Sequence, residues 1–199
     1  MTTTFYLVRH AAHDNVGGFL AGRTPGIRLG VDGRAQAERL GQRMRREQFD
    51  AIHASPRERT QETAQAIVAA REPMPVHTAP ELDEVDFGEW SGGTWEVLNQ
   101  DQRWRNWNSV RSLARTPGGE SMLDVQWRVL GLMERLMVEH PEGRVVLVSH
   151  ADIIKSAVSY VLGLPIDAWP RLEVGPASIT TVVLGDWGGK LITLNEVID

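Results

Sequence analysis

Two apolar segments of the sequence end in histidine, and the side chains at these ends have the types needed for catalysis. FYLVRHAAHD, residues 5–14, contains Arg9 and His10. RVVLVSHAD, residues 144–152, runs into His150 in the same way. A neutral imidazole is a competent nucleophile or proton carrier near pH 7. The two segments therefore predict one site containing both histidines, provided that they form neighbouring strands.

A third apolar segment ends in arginine. DAIHAS, residues 50–55, continues into SPRERTQETA, which places Arg57 and Arg59 at the start of a predicted helix. Guanidinium groups present planar, paired N–H donors that match phosphate oxygens, and helix N-termini favour anions. Together with Arg9, these residues predict a pocket for dianionic phosphate. Because Arg57 and Arg59 are two residues apart, they face different sides of the helix.

A divalent metal site is the competing interpretation of the same segments. The candidate ligands are His10, His13, Asp14, His150 and Asp152. These residues include the usual nitrogen and oxygen ligands. However, two arginines aimed at the same point would repel a cation. The composition of the site thus favours phosphate, and we expect neither a metal nor a cofactor.

The elements that must position these residues are short β-branched runs alternating with longer segments of helical periodicity. This alternation predicts an α/β fold, a three-layer α/β/α sandwich with a mostly parallel central sheet. In such sheets the carboxyl ends of the strands face the crevice where ligands bind. Ser55 is the candidate N-cap of the second helix, with Pro56 in its first turn. Strands are predicted at 4–10, 50–55, 75–79, 144–150, 179–186 and 190–195, and helices at 33–48, 56–70, 121–140 and 152–162.

Residues 86–119 do not follow this alternation and are predicted to be an insertion. They contain four tryptophans, Trp90, Trp95, Trp104 and Trp107, among charged residues. Aromatic side chains in such a segment more often dock it onto the core than line a ligand pocket. The chain of 199 residues is long enough for one sizeable core, so residues 1–199 are predicted to form a single domain.

Charge and composition exclude several classes of partner. A net charge of -5 provides no global basic field for nucleic acid or an anionic membrane. The sequence has no cysteine, which excludes disulfides and a thiol nucleophile. No apolar stretch approaches the roughly 20 residues of a membrane span, and no targeting segment is recognisable. We expect a cytoplasmic protein with a small phosphorylated substrate; the oligomeric state, including a homodimer, is left open.

Five motifs together resemble one protein family. They are LVRHA at 7–11, SPRERTQETA at 55–64, LDEVDFGEW at 82–90, GGES at 118–121 and VSHAD at 148–152. In this order and spacing they are similar to the histidine phosphatase superfamily, the phosphoglycerate-mutase-like proteins. The resemblance covers nearly the whole chain.

The resemblance implies a role for each matching residue. His10 corresponds to the histidine that attacks phosphorus and carries a phosphohistidine. Arg9, Arg59 and His150 correspond to its partners in the phosphate pocket. Glu84 corresponds to the carboxyl that protonates the leaving oxygen and later accepts a proton from water, and one carboxyl can serve both steps. No metal is required by this chemistry.

Other residues are assigned less directly. Arg23, in a loop flanked by Gly and Pro, is a candidate for substrate binding, while Arg57 is expected at the surface or rim. The remaining histidines, His13, His53, His77 and His140, have no motif support and are expected to pack or to lie at the surface.

The chain departs from the family pattern beside both catalytic histidines. Ala11 replaces the signature glycine, Ala12 and His13 replace a Glu-Thr pair, and Ala151 and Asp152 replace a Gly pair. A carboxylate at Asp152 would repel phosphate unless it turns away or pairs with an arginine. At a helix N-terminus it is expected to stabilise the first turn.

The sequence therefore predicts a phosphomonoester hydrolase that acts through His10. A phosphomutase using the same residues is the alternative. A non-catalytic phospholigand-binding module is disfavoured, because binding alone requires neither His10 nor Glu84.

Overall fold

A six-stranded sheet carries the residues that the motifs single out. The computed structural model of the protein describes residues 2–14 and 18–198. The strands are β1 (Thr2–Arg9), β2 (Ala51–Ala54), β3 (Val76–Thr78), β4 (Arg144–Ser149), β5 (Ile179–Gly185) and β6 (Gly188–Glu196). The helices are α1 (Val31–Met44), α2 (Glu58–Ala69), α3 (Trp95–Leu98), α4 (Gln102–Ser109), α5 (Met122–Glu139) and α6 (Ala151–Val161). Short 3-10 turns lie at Pro80–Leu82, Gly88–Trp90 and Ile166–Arg171.

The strand order is β3-β2-β4-β1-β5-β6, so β1 and β4 are adjacent at the centre. They run parallel, with Arg9 opposite Ser149, and β2 pairs in parallel with both β3 and β4. Strands β5 and β6 add an antiparallel edge. The mostly parallel sheet is thus confirmed, and the adjacency of β1 and β4 brings the ends that precede His10 and His150 together.

Helices cover both faces of this sheet, as expected for a three-layer sandwich. One apolar core includes Leu40, Ile67 and Val146 and joins α1 and α2 to one face. The other includes Leu132 and Val158 and joins α5 and α6 to the opposite face. The strands are apolar on both sides because both sides are covered.

The tryptophans of the predicted insertion are packed into the second core, as expected. Trp90, Trp104 and Trp107 are buried, and Trp95 packs against the same cluster while partly exposed. Trp90 and Trp104 meet edge to face with ring centroids 5.3 Å apart. This geometry is favourable for aromatic pairs and fixes the segment on the fold.

The start of α2 differs from the sequence prediction. The helix begins at Glu58 rather than residue 56, and its N-cap is Arg57, whose side chain makes no capping hydrogen bond. The hydroxyl oxygen of Ser55, the predicted cap, accepts from His150 Nε2 at 2.8 Å and from the Arg57 N–H at 3.3 Å. Helix α1 also begins and ends before its predicted bounds of 33–48. Within the described ranges, no helix is long and apolar enough to cross a membrane.

Candidate active site

His10 follows the last residue of β1 and is held in one tautomer. Its backbone N–H donates to the Ser149 carbonyl (3.0 Å), continuing the pairing with β4. Its Nδ1 lies 2.7 Å from the Ala11 carbonyl oxygen. Because a carbonyl oxygen only accepts, Nδ1 carries the ring proton. Nε2 is left unprotonated and keeps its lone pair, which is the state that a nucleophile requires.

His150 follows β4 directly and presents the opposite tautomer. Its ring centroid is 5.2 Å from that of His10, in an edge-on arrangement. Arg59 Nη2 lies 3.1 Å from His150 Nδ1, and because a guanidinium only donates, Nδ1 is the acceptor. The proton is then on Nε2, which donates to Ser55 Oγ at 2.8 Å. The Ser55 hydroxyl also lies 3.4 Å from Asp83 Oδ1.

Arg59 links the two histidines from the first turn of α2. Its Nε donates to His10 Nε2 at 3.3 Å, and its Nη2 donates to the Gly22 carbonyl at 2.8 Å. Only 1% of the residue is exposed. A buried guanidinium is costly unless its donors are used. Its Nη1 nevertheless has no hydrogen-bond partner among the described residues.

Arg9, which precedes His10 in the chain, shows the same feature. Its Nη1 donates to the Val174 carbonyl at 2.7 Å, which fixes the guanidinium. Its buried Nε has no partner in the parts of the chain that the structure describes. The two arginines beside the nucleophile thus each retain a buried N–H donor. Acceptor oxygens of a phosphoryl group match such donors.

Burial and positive charge keep both histidines neutral. Desolvation, followed by the charge of Arg59, lowers the pKa of His10 well below its usual range. The same two causes lower the pKa of His150. The lone pair on His10 Nε2 is therefore available at neutral pH.

Glu84 faces the histidines from the loop after β3. Its Oε2 lies 3.5 Å from His150 Nδ1 and 4.0 Å from Arg59 Nη2. Burial raises the pKa of Glu84 to about 7, with a further contribution from the negative charge of Asp152. Nearby arginines act in the opposite direction but do not offset the burial. A carboxyl with this pKa can both donate and accept a proton near neutral pH.

The loop that carries Glu84 is fixed by two arginines and one glutamate. Arg128 donates to the Asp83 carbonyl at 2.8 Å and to Glu120 Oε1 at 2.8 Å. Arg23 donates to the Glu84 carbonyl at 2.8 Å and to Glu120 Oε2 at 2.9 Å. These contacts favour a supporting role for Arg23, and its predicted contact with substrate stays a prediction. The loop is rigid because its carbonyls are bonded to charged donors.

The loop after His10 is held by α1 and α2. The Ala11 N–H donates to Thr63 Oγ1 at 3.1 Å, and the Ala12 N–H donates to Gln36 Oε1 at 3.0 Å. A Cβ at Gly33 would overlap the Ala12 carbonyl oxygen, so only glycine allows α1 to approach this closely.

Asp152 lies in the first turn of α6, as expected, and its carboxylate is paired. Its Oδ2 is 2.9 Å from Nη1 of Arg111, which is buried. The ion pair offsets the negative charge that would otherwise oppose phosphate.

Five sequence-predicted residues come together: Arg9, His10, Arg59, Glu84 and His150. Arg57 lies at the rim, as expected, and its Nε is 2.9 Å from Asp83 Oδ1.

Several other residues near the site were not singled out from the sequence. His13 was expected to pack or to lie at the surface, and its ring stacks on that of His10 with centroids 5.9 Å apart. Ser55 was interpreted as a helix cap. No pattern in the sequence predicts that it is buried beside a histidine. Arg111 lies in the predicted insertion, where nothing distinguishes it from other arginines. The only indication in the sequence was Asp152, because a carboxylate beside a phosphate pocket needs a positively charged partner.

The residues of the competing metal interpretation do not form a ligand set. In ranges 2–14 and 18–198, no group of three or more His, Asp or Glu side chains is arranged to hold a metal ion. Arg59 occupies the space between the two histidines instead.

Comparison with known proteins gives concordant matches. The family model described as histidine phosphatase superfamily (branch 1) matches residues 5–197. Phosphoserine phosphatase 1 of Hydrogenobacter thermophilus is 30% identical over 95% of this chain and 90% of its own length. A probable phosphoglycerate mutase of Proteus mirabilis is 32% identical over 89% of this chain and 83% of its own. The solved structure of a mycobacterial glucosyl-3-phosphoglycerate phosphatase has a TM-score of 0.88 at 27% identity, covering 98% of this chain and 100% of that one.

Proposed function

Because this chain belongs to the histidine phosphatase superfamily, we propose that it hydrolyses small phosphomonoesters through a phosphohistidine on His10. The observation that carries the proposal is the pair of buried, unpartnered donors, Arg9 Nε and Arg59 Nη1, on the two arginines beside the unprotonated Nε2 of His10. Cationic donors in a water-poor site stabilise the charge on a transferring phosphoryl group. They thereby supply the stabilisation that metal ions give in other phosphatases.

In the first step, His10 Nε2 attacks phosphorus and the ester P–O bond breaks. Glu84 gives its proton to the leaving oxygen, so the alcohol departs neutral. The imidazole becomes positively charged, and the Ala11 carbonyl stabilises it through the Nδ1 proton. His150 stays neutral, because burial and the charge of Arg59 lower its pKa.

In the second step, water attacks the phosphohistidine and the P–N bond breaks. Glu84, now a carboxylate, accepts the proton of the water. Inorganic phosphate is released and both residues return to their starting states. A pKa of about 7 suits Glu84 to both directions of proton transfer.

Named relatives support a small phosphorylated metabolite as substrate. The relatives include a phosphoserine phosphatase and a glucosyl-3-phosphoglycerate phosphatase. The match over residues 5–197 supports one domain for the chain. Cytoplasmic localisation and the absence of nucleic-acid partners stay predictions, and the oligomeric state stays open.

A phosphomutase is the second candidate, favoured by the relative named as a probable phosphoglycerate mutase. Both activities use the same phosphohistidine and differ in what attacks it. A mutase must retain its product and exclude water while the phosphoryl group returns to another oxygen.

The proposal is tested by trapping the intermediate. Wild-type protein incubated with a labelled phosphomonoester should form an acid-labile, base-stable phosphoenzyme, and His10→Ala should abolish both labelling and turnover. His140→Ala, a change of a histidine outside the site, is the matched control. Near-normal turnover by His10→Ala would exclude the assigned nucleophile.

The two candidate activities are separated by following both products of one substrate. With 3-phosphoglycerate and a trace of 2,3-bisphosphoglycerate, a phosphatase releases free phosphate, whereas a mutase forms 2-phosphoglycerate. We expect free phosphate to dominate. Isomer that forms much faster than phosphate would establish the mutase.

A further inference from the structure

A cluster of three charged side chains, Arg111, Asp152 and Lys155, lies beside the phosphate pocket. Asp152 is in the first turn of α6, two residues after His150. Lys155 follows three residues later, which places it on the same face about one turn, roughly 5 Å, along the axis. The cluster therefore begins at the edge of the pocket and extends away from it.

An aromatic ring holds two cations of this cluster in place. The Arg111 guanidinium carbon lies 3.7 Å from the centroid of the Trp169 ring, and Lys155 Nζ lies 5.4 Å from it. Cation–π contact stabilises each charge while leaving its N–H donors free. Arg111 and Lys155 are thus gathered against one ring, next to Asp152.

Only one of the two cations is neutralised by a close ion pair. Arg111 Nη1 is 2.9 Å from Asp152 Oδ2. In residues 2–14 and 18–198, no carboxylate lies within 4.0 Å of Lys155 Nζ. Glu173 and Asp152 act on Lys155 from a greater distance, and burial lowers the pKa of Lys155. A half-buried ammonium without a close counter-ion favours an anionic ligand.

The charges of this cluster act on residues of the phosphate pocket. Glu84 must contact the leaving oxygen to protonate it, and the charge of Asp152 is close enough to act on Glu84. The positive charges of Arg9 and Lys155 also interact with each other. Lys155 thus lies one helical turn from a residue whose charge acts on Glu84, near the place where the leaving alcohol is protonated.

We propose that Lys155, held by Trp169 beside the Arg111–Asp152 ion pair, binds a carboxylate on the leaving alcohol. This inference rests on the proposed phosphatase function and adds a substrate class to it, phosphomonoesters of carboxylate-bearing alcohols. Arg111 and Asp152 form the fixed wall of the subsite, and Lys155 supplies its uncompensated charge.

The test uses two substrate pairs that differ at the carboxylate. O-phosphoserine is compared with O-phosphoethanolamine, and 3-phosphoglycerate with glycerol 3-phosphate. Wild-type protein should have the higher kcat/KM on the carboxylate member of each pair. Lys155→Gln should lower kcat/KM on that member roughly tenfold or more, mainly through KM, and change its partner less than about twofold. Lys155→Arg, which keeps the charge, should retain most of the preference.

Lys190→Gln is the matched control, because Lys190 is exposed on β6, away from the pocket. It should leave all four values unchanged. Two outcomes would overturn the subsite alone. In one, the protein hydrolyses para-nitrophenyl phosphate but shows no preference for the carboxylate substrates. In the other, Lys155→Gln lowers kcat/KM equally on both members of each pair. Absence of turnover on every phosphomonoester would overturn the proposed function and the subsite with it.

Discussion

At the scale of single residues, Glu84 lies close to positively charged groups and still has a raised pKa, a combination that a carboxyl exposed to water does not show. It is a carboxyl in reach of two cationic or protonatable groups, yet burial raises its pKa to about 7. The arginines that bind phosphate do not reverse this effect, because desolvation is the largest contribution. The residue can therefore hold a proton at neutral pH beside an anionic substrate.

Replacement of the Glu84 carboxyl should affect poor leaving groups most. Glu84→Gln keeps the shape but cannot transfer a proton, so kcat/KM for an alkyl phosphate should fall by roughly 100-fold or more. An aryl phosphate such as para-nitrophenyl phosphate needs less acid assistance and should lose less. In the wild type, the alkyl phosphate rate should decline as pH rises through about 7, where Glu84 loses its proton.

Glu89→Gln is a suitable control, because this neighbouring glutamate is largely exposed. Small, equal losses on both substrates in Glu84→Gln would instead implicate Asp83 or Asp86 as the acid.

The raised pKa of Glu84 also predicts how stability depends on pH. Between about 4.5 and 7 the folded protein holds a proton on Glu84 that the unfolded chain releases. The free energy of unfolding therefore decreases with rising pH across this window, on account of this group. Glu84→Gln removes this effect. The free energy of unfolding of the variant minus that of the wild type should therefore increase by on the order of 2–3 kcal/mol from pH 4.5 to pH 7.5.

Urea unfolding of both proteins at several pH values measures this difference. A constant difference between the two proteins would mean that Glu84 has the same pKa folded and unfolded.

At the scale of elements, the approach of α1 to the loop after His10 determines where the nucleophile stands. The Gly30 N–H donates to the Ala12 carbonyl at 3.2 Å, and Gln36 accepts from the Ala12 N–H. Gly33 allows this contact because it has no side chain.

Gly33→Ala should therefore separate α1 from the loop. We expect a loss of about 1–3 kcal/mol in the free energy of unfolding, with a lower kcat, because the new methyl group overlaps the Ala12 carbonyl. Gly131→Ala is the matched control, since Gly131 is also inside a helix but a Cβ there meets nothing within 4 Å. It should stabilise the protein by about 0.5–1 kcal/mol without changing kcat. Similar stability changes for the two variants would contradict a specific contact at Gly33.

Sequence reasoning is most successful for elements with strong periodicity. The apolar runs before His10 and His150 predict β1 and β4, and their side-by-side placement follows from the parallel sheet. The predicted start of α2 was wrong. Ser-Pro commonly begins a helix, but here the Ser55 hydroxyl is hydrogen-bonded to His150. Contacts of this kind join residues far apart in the sequence, so no local pattern reveals them. The pairing of Asp152 with Arg111 belongs to the same class.

At the scale of the whole molecule, an acidic protein contains a cationic pocket. The net charge is -5, yet the buried Arg59 and the partly buried Arg9 lie beside the nucleophile. Local charge, and not the overall field, determines which ligand such a pocket takes.

Activity should accordingly survive removal of divalent metal ions. The two guanidinium groups already supply the electrostatic stabilisation of the phosphoryl group. We expect dialysis against excess chelator to change kcat by less than about twofold, with phosphate release as the measurement. Loss of activity, restored by a divalent ion, would show that the residues around His10 need a metal after all.

The position of β1 in the sheet has a consequence for the newly made chain on the ribosome. β1 ends at Arg9, but both of its neighbours, β4 and β5, begin at Arg144 or later. At about 5–20 residues per second, roughly 7 to 27 s pass before either neighbour begins to be synthesised. During that time an apolar strand has exposed edges that can pair with other chains. The order of synthesis therefore leaves the strand that later supports the nucleophile without a pairing partner for longer than any other strand of the sheet.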